Sequence, residues 1–160
     1  MRFCADSSFL VRLYDPLANQ AELATISQYL TDEQKVVTVS ELCRVEVLNV
    51  LLRKAEAGAA KKFEEDLAEG LRLRTEFVDW LDVFQHAESL ARRFSRTLRP
   101  GGHDLVLVAA AVAMGATWFL SFDRNSRQRP LAAAAGLRVW PALDKEEKGL
   151  ARHASHQAGT

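Results

Sequence analysis

Four acidic residues are positioned along the chain so that they could form a metal site. Asp6 and Asp123 each follow a short apolar run. Asp104 precedes a long apolar run, and Glu46 lies inside a mostly apolar segment. Clustered carboxylate oxygens select Mg²⁺ or Mn²⁺ over zinc. One or two such ions could activate a water molecule for in-line attack on a phosphodiester, so the pattern indicates phosphodiester hydrolysis.

Each acid also has a purely structural explanation. Asp6 and Asp104 could cap helices, where the helix dipole stabilises a carboxylate by a few tenths to about 1 kcal/mol. Asp123 could be a turn residue. Glu46 could belong to the solvated face of its helix. That polar face would consist of Glu46, Asn49, Arg53 and Glu56. Spacing alone leaves both interpretations open for all four acids.

Other chemistries have little support in the chain. No Walker A loop, GxGxxG motif or Ser-His-Asp arrangement is present. Cys4 and Cys43 lie in apolar runs, as expected for small buried hydrophobes, and a zinc site would need more Cys or His at ligand spacing. His103, a single histidine beside Asp104, is more typical of a loop or a helix cap. A phosphatase-like site would want a second Asp two residues after Asp6, and Ser8 stands there.

Charge is balanced overall but unevenly distributed. The 160 residues carry a formal net charge of +0, with 48% hydrophobic residues, as expected for one compact domain. Two arginine clusters adjoin two of the acids: Arg92, Arg93, Arg96 and Arg99 before Asp104, and Arg124, Arg127 and Arg129 after Asp123. The clusters could be a solvated helix face and a loop, or could bind phosphate groups. With no signal-peptide pattern and no apolar stretch long enough to span a membrane, we expect a cytoplasmic protein.

The predicted elements alternate between strands and helices. The predicted strands cover residues 1–5, 35–39, 76–80, 117–122 and 137–140. The predicted helices cover about residues 7–13, 20–30, 41–57, 59–73, 82–94, 105–114 and 131–135. Ser7 or Ser8 is expected to cap the first helix and Gly58 to end the third.

This alternation predicts an α/β three-layer sandwich with a mainly parallel central sheet flanked by helices. Ligands of such sheets gather at the carboxyl ends of the strands, where Asp6 and Asp123 are expected to lie. We expect one domain over residues 1–141. Residues 142–160 are polar and rich in small side chains, and we expect a mobile tail there.

Four segments resemble the motifs of PIN domains, in the order and spacing of that family. Residues 4–11 resemble the strand that ends in Asp-Ser/Thr-Ser, and residues 44–51 resemble the helix that carries a Glu and, three residues later, an Asn. Residues 103–111 resemble the Asp before an Ala-rich helix, and residues 120–123 the strand that ends in Thr/Ser-x-Asp. The resemblance covers about residues 1–141. It departs from the family at His103, where an uncharged residue is more usual.

More narrowly, the chain resembles the VapC-type toxins of toxin–antitoxin pairs. The resemblance implies a ribonuclease that cleaves RNA with Mg²⁺ or Mn²⁺, is restrained by a cognate antitoxin and commonly forms a homodimer. It assigns metal binding and catalysis to four acids: Asp6, Glu46, Asp104 and Asp123. It assigns supporting roles to Ser121 and Asn49, and Glu41 is the other candidate for the second acid. A non-catalytic module that binds RNA or protein remains the alternative.

Overall fold

A computed structural model describes residues 1–15, 17, 20–31, 35–54 and 57–158. The strands in these residues are β1 (Phe3–Ala5), β2 (Val37–Ser40), β3 (Leu73–Glu76), β4 (Trp118–Leu120) and β5 (Arg138–Trp140). The helices are α1 (Ser7–Tyr14), α2 (Gln20–Thr31), α3 (Glu41–Arg53), α4 (Ala57–Glu69), α5 (Trp80–Leu98), α6 (Gly102–Ala113), α7 (Gln128–Ala134) and α8 (Lys145–Gln157).

The strands form one parallel sheet in the order β3-β2-β1-β4-β5. β1 lies at the centre, between β2 and β4. The register pairs Cys4 with Thr38 on one side and with Phe119 on the other. Because every pairing is parallel, the carboxyl ends of the strands meet at one edge of the sheet. Asp6 lies at that edge, where its amide continues the ladder by donating to the Leu120 carbonyl at 3.0 Å.

The sheet is buried on both faces because its side chains alternate between two hydrophobic clusters. Phe3 and Ala5 of β1 join one cluster, and Cys4 between them joins the other. The first cluster packs against helices α1 to α4, and the second packs against α5 to α8. The predicted three-layer α/β sandwich with a parallel sheet is therefore confirmed.

Helix α6 packs closely because its buried side chains are small. Ala109, Ala110 and Ala111 are fully buried against neighbours that include α5 and α7. The helix ends before Gly115, whose φ of +66° is in the left-handed region that favours glycine. No helix in the described ranges is both long enough and apolar enough to cross a lipid bilayer.

Several predicted boundaries differ from the structure. α3 ends at Arg53, and Gly58 lies inside α4 instead of ending α3. The third strand is β3, Leu73–Glu76, and not residues 76–80, because it pairs with β2 over Val37 to Ser40. Asp6 caps α1 in place of Ser7 or Ser8. Glu56 of the predicted polar face lies outside the described residues.

The prediction of a mobile tail after residue 141 is wrong for most of that segment. Residues 145–157 form α8, which packs against α5 and α7 and buries Ala151 and Ala154. Its capping box is complete, since Asp144 Oδ1 accepts a hydrogen bond from the Glu147 amide while Glu147 Oε2 accepts one from the Asp144 amide. The domain boundary at residue 141 stays a prediction, but the helix beyond it packs on the same core.

Candidate active site

Asp6 is the most enclosed acid at the carboxyl edge of the sheet, with 3% of the residue exposed. Its Oδ1 caps α1 by accepting a hydrogen bond from the Phe9 amide at 2.9 Å. Its Oδ2 accepts from the Ser121 hydroxyl at 2.6 Å, and the Ser8 hydroxyl lies within 2.9 Å of both oxygens. Asp6 therefore caps α1 and at the same time lies next to Ser8 and Ser121.

Burial raises the pKa of Asp6 from 3.8 to about 6. Hydrogen bonds from Ser121, the Phe9 amide and Ser8 oppose this increase, and the negative charge of Asp123 adds to it. Desolvation and a neighbouring like charge both penalise an ionised carboxylate. Asp6 is therefore an acid that a nearby cation would stabilise.

Asp123 lies in the loop after β4, joined to Asp6 through Ser121. The Ser121 hydroxyl accepts a hydrogen bond from the Asp123 amide at 3.2 Å while it donates to Asp6. Oδ1 of Asp123 accepts from the amides of Asn125 and Ser126 at 2.9 and 3.1 Å, which fixes the turn. Ser121 therefore connects the two acids, and one oxygen of Asp123 holds the loop.

Glu46 lies on α3 with 27% of its side chain exposed. Its Oε1 lies 2.8 Å from Nε2 of His103. Its Oε2 is buried and has no hydrogen-bond partner among the described residues. An unpaired buried carboxylate oxygen is costly, so a cation would find a ligand here. Asn49, on the same helix, is exposed and forms no side-chain hydrogen bond with a described residue.

Asp104 lies in the first turn of α6, next to His103. Its Oδ2 accepts a hydrogen bond from the Gly101 amide at 3.0 Å, so it caps the start of this helix. The structure gives no contact between Asp104 and another of the predicted acids. His103 was expected to be a loop or capping residue, but its ring binds Glu46, which connects α6 with α3.

The buried thiol of Cys43 lies near enough to Asp6 and Glu46 to be affected by the charges of both. Its Sγ is 3.4 Å from the carbonyl oxygen of Ala5, the residue before Asp6. Burial raises the pKa of Cys43, and the charges of Asp6 and Glu46 raise it further.

The structure brings two of the predicted acids together, Asp6 and Asp123, and places Glu46 beside His103. In the part of the chain that the structure describes, however, no three His, Cys, Asp or Glu side chains form a ready metal site.

Glu41, the other candidate for the second acid, has a different environment. It accepts a hydrogen bond from Nε1 of Trp80 at 2.9 Å. It lines an apolar groove of about 580 Å³ between α3, α5 and α6. The groove residues are Glu41, Leu42, Val45, Trp80, Phe84, Gly102, His103 and Val106. His103, which lines this groove, also contacts Glu46.

Cations lie near the site, but not as the sequence predicted. Arg129, one of the arginine cluster after Asp123, is fully buried and paired with Glu147, so it neither lies on a solvated loop nor reaches a phosphate group. Arg124 and Arg127 are exposed in the same region. Arg12, which sequence reasoning missed, stacks over the Phe122 ring at 4.5 Å. Its position on α1, six residues after Asp6, was the only available signal.

Comparisons with known proteins bear on the family and on the fold. The family model described as PIN domain matches residues 3–131. A search of curated protein sequences finds no match. VapC20 from Mycobacterium tuberculosis, a toxin described as cleaving the sarcin–ricin loop, superposes with a TM-score of 0.62 at 22% identity, over 87% of this chain and 99% of that one. PAE2754 from Pyrobaculum aerophilum gives a TM-score of 0.48 at 16% identity, over 98% and 91% of the two chains. The VapC20 match shows a shared fold.

Proposed function

Because this chain belongs to the PIN domain family, we propose that it is a metal-dependent endoribonuclease and the toxin of a toxin–antitoxin pair. The observation that carries the proposal is the arrangement of Asp6, Ser121 and Asp123 at the carboxyl edge of the sheet. Parallel sheets bind ligands at this edge. A buried acid with a raised pKa, next to a second acid, is suited to a cation and a phosphodiester.

The residues present fit a hard divalent cation. Asp6 carries a desolvated carboxylate, and Glu46 carries a buried oxygen without a partner in the described ranges. We propose that Mg²⁺ or Mn²⁺ is held by Asp6, Glu46, Asp104 and Asp123. Such an ion would supply the charge that activates an attacking water and stabilises the leaving oxygen.

The other side chains would hold the acids in place. Ser121 and Ser8 donate to Asp6 and orient its carboxylate. His103 would orient Glu46 through the contact between its Nε2 and Oε1, and the buried Oε2 remains without a partner in the described ranges. Arg12, which stacks on Phe122, would contact RNA phosphates. Asn49, which is exposed on α3, would also contact RNA.

We propose three partners: RNA, a cognate antitoxin and a second copy of the chain. The substrate would be RNA, met in the cytoplasm without any membrane. A cognate antitoxin would silence the enzyme by placing an Arg or Lys side chain against the desolvated acids, since a cation offsets their repulsion. A second copy of the chain would complete a homodimer.

The test is cleavage of a mixed tRNA and rRNA pool by purified protein with Mg²⁺, Mn²⁺ or EDTA. We expect metal-dependent cuts that Asp6→Asn and Asp104→Asn abolish. Asp82→Asn, which changes an exposed acid on α5, is the matched control and should cut normally. RNA cleavage by Asp6→Asn at the parental rate would contradict the proposal.

The same assay identifies the second acid of the site. Glu46→Gln should lose activity, whereas Glu41→Gln should retain most of it, because Glu41 binds Trp80 in the apolar groove. The reverse result would move the second metal ligand to Glu41.

A non-catalytic binding module is the second candidate. It is favoured by the lack, among the described residues, of three acids already assembled around a metal position. A Mn²⁺ titration of the melting temperature separates the two. A nuclease should gain stability with metal, and Asp6→Asn should abolish the gain. A module without metal should melt at the same temperature throughout.

A further inference from the structure

Arg129 is a fully buried cation that joins three separate segments of the chain. Its Nε and Nη2 donate to Oε1 and Oε2 of Glu147 at 2.7 and 3.2 Å, which makes a bidentate pair. Nη2 also donates to the carbonyls of Pro141 and Ala142 at 2.9 and 3.3 Å. Nη1 donates to the carbonyl of Ser121. The guanidinium thus connects α7, α8 and the loop that carries Asp123.

The peptide unit between Ser121 and Phe122 is held at both of its polar ends. Arg129 binds its carbonyl, and its N–H, the Phe122 amide, donates to the Ser8 hydroxyl at 2.9 Å. Ser8 in turn donates to Asp6. These two contacts therefore restrain the peptide plane between Ser121, whose hydroxyl binds Asp6, and the Asp123 backbone.

Glu147 fixes the position of Arg129 because it is itself held in the first turn of α8. Its Oε2 accepts from the Asp144 amide at 2.9 Å as well as from the guanidinium. Ala151 and Ala154 of this helix are buried, and Ala154 belongs to the hydrophobic cluster of α5 to α8. The helix that replaces the expected tail is thereby connected to the site through two side chains.

We propose that Arg129, held by Glu147 of α8, is a positioning residue for the Ser121–Asp123 loop. It acts by holding the Ser121 carbonyl, so that Ser121 and Asp123 stay in register with Asp6. Its effect on catalysis rests on the proposed nuclease function. Its effect on the loop does not. The C-terminal helix is then part of the catalytic architecture.

The first test is the double variant Arg129→Met/Glu147→Leu. Replacing a buried ion pair by apolar side chains of similar volume often preserves stability, but here it removes the donor to the Ser121 carbonyl. Amide hydrogen exchange of Phe122 and Asp123 should accelerate by about tenfold or more, with Ala110 of α6 still protected. The rate constant for RNA cleavage should fall roughly 10- to 100-fold with an unchanged KM.

Two further variants complete the test. Ile26→Val lowers stability in α2, away from the loop, and should leave loop exchange and cleavage at parental values. Arg129→Lys keeps the charge but loses the planar fork, and it serves if the double variant does not fold. It should show the same loop exchange and the same loss of rate.

Parental exchange of Phe122 and Asp123 in a folded double variant or in Arg129→Lys would overturn the proposal. Faster loop exchange with parental cleavage would also overturn it, because the loop position would then not matter for catalysis. If the parent cuts no RNA with any metal, the nuclease function fails. The exchange data still decide whether Arg129 positions the loop.

Discussion

At the level of single residues, Asp6 caps α1, accepts hydrogen bonds from Ser8 and Ser121, and is buried. We predict that Asp6→Asn stabilises the metal-free protein near neutral pH by roughly 1 to 3 kcal/mol. Because its pKa rises from 3.8 to about 6 on folding, the ionisation penalty is absent below pH 3.8, builds between these values and is complete above 6.

Urea unfolding of parent and Asp6→Asn at neutral and at acid pH tests this prediction. The difference in the free energy of unfolding should shrink toward zero as the pH falls below 3.8. Asn retains the capping oxygen for the Phe9 amide. An equal difference at both pH values would contradict the assigned charge of Asp6.

Ser121 is the second residue for which the structure makes a specific prediction. Ser121→Ala removes the donor to Asp6 and the acceptor of the Asp123 amide. We expect cleavage to fall roughly 10- to 100-fold and the pKa of Asp6 to rise further, since the Ser121 hydrogen bond lowers it. The pKa is measured from the carboxyl carbon shift in a titration.

Ser155→Ala is the matched control for Ser121→Ala. Ser155 donates to the Ala151 carbonyl inside α8, at 3.0 Å, and contacts none of the site residues. It should leave both cleavage and the pKa of Asp6 unchanged. An unchanged pKa in Ser121→Ala would contradict the connecting role of Ser121.

At the level of elements, α6 packs against α5 and α7 through small buried side chains. Ala109 is fully buried there. We predict that Ala109→Leu destabilises the protein by about 1 to 3 kcal/mol, because added methylenes must push α6 away from its neighbours. Chemical unfolding measures this. Ala24→Leu, at an exposed position of α2, is the control and should change stability little.

At the level of the whole molecule, the apolar groove between α3, α5 and α6 is open to solvent. Val45 and Phe84 are 64% and 54% exposed along it. Contiguous exposed apolar surface is typical of protein interfaces. We therefore predict a homodimer that covers the groove, with a mass in solution of twice 17.8 kDa.

Light scattering after size exclusion tests the homodimer. Val45→Lys/Phe84→Lys should give a monomer, because two charges would have to be buried unpaired. Leu17→Lys, at a position 84% exposed elsewhere on the chain, is the control and should remain a dimer. A dimeric Val45→Lys/Phe84→Lys variant would place the interface on another surface.

The sequence by itself determined the fold class and the positions of two acids. Short apolar runs alternating with helical patterns predicted a parallel sheet. Asp6 directly follows β1 as expected, whereas Asp123 lies three residues beyond the end of β4, which is shorter than the predicted strand over residues 117–122. This works because strand and helix periodicity are local properties, set by residues near one another in the chain. The motif resemblance added the family.

Only the tertiary structure decided which polar groups meet. Glu46 and His103, or Arg129 and Glu147, lie on different elements, and no local pattern indicates that they pair. α8 escaped prediction because its buried face is made of Ala151 and Ala154, whose small side chains give a weak hydrophobic period. Partners of buried charges depend on how the layers pack, since desolvation makes each unpaired charge costly only once the core has formed.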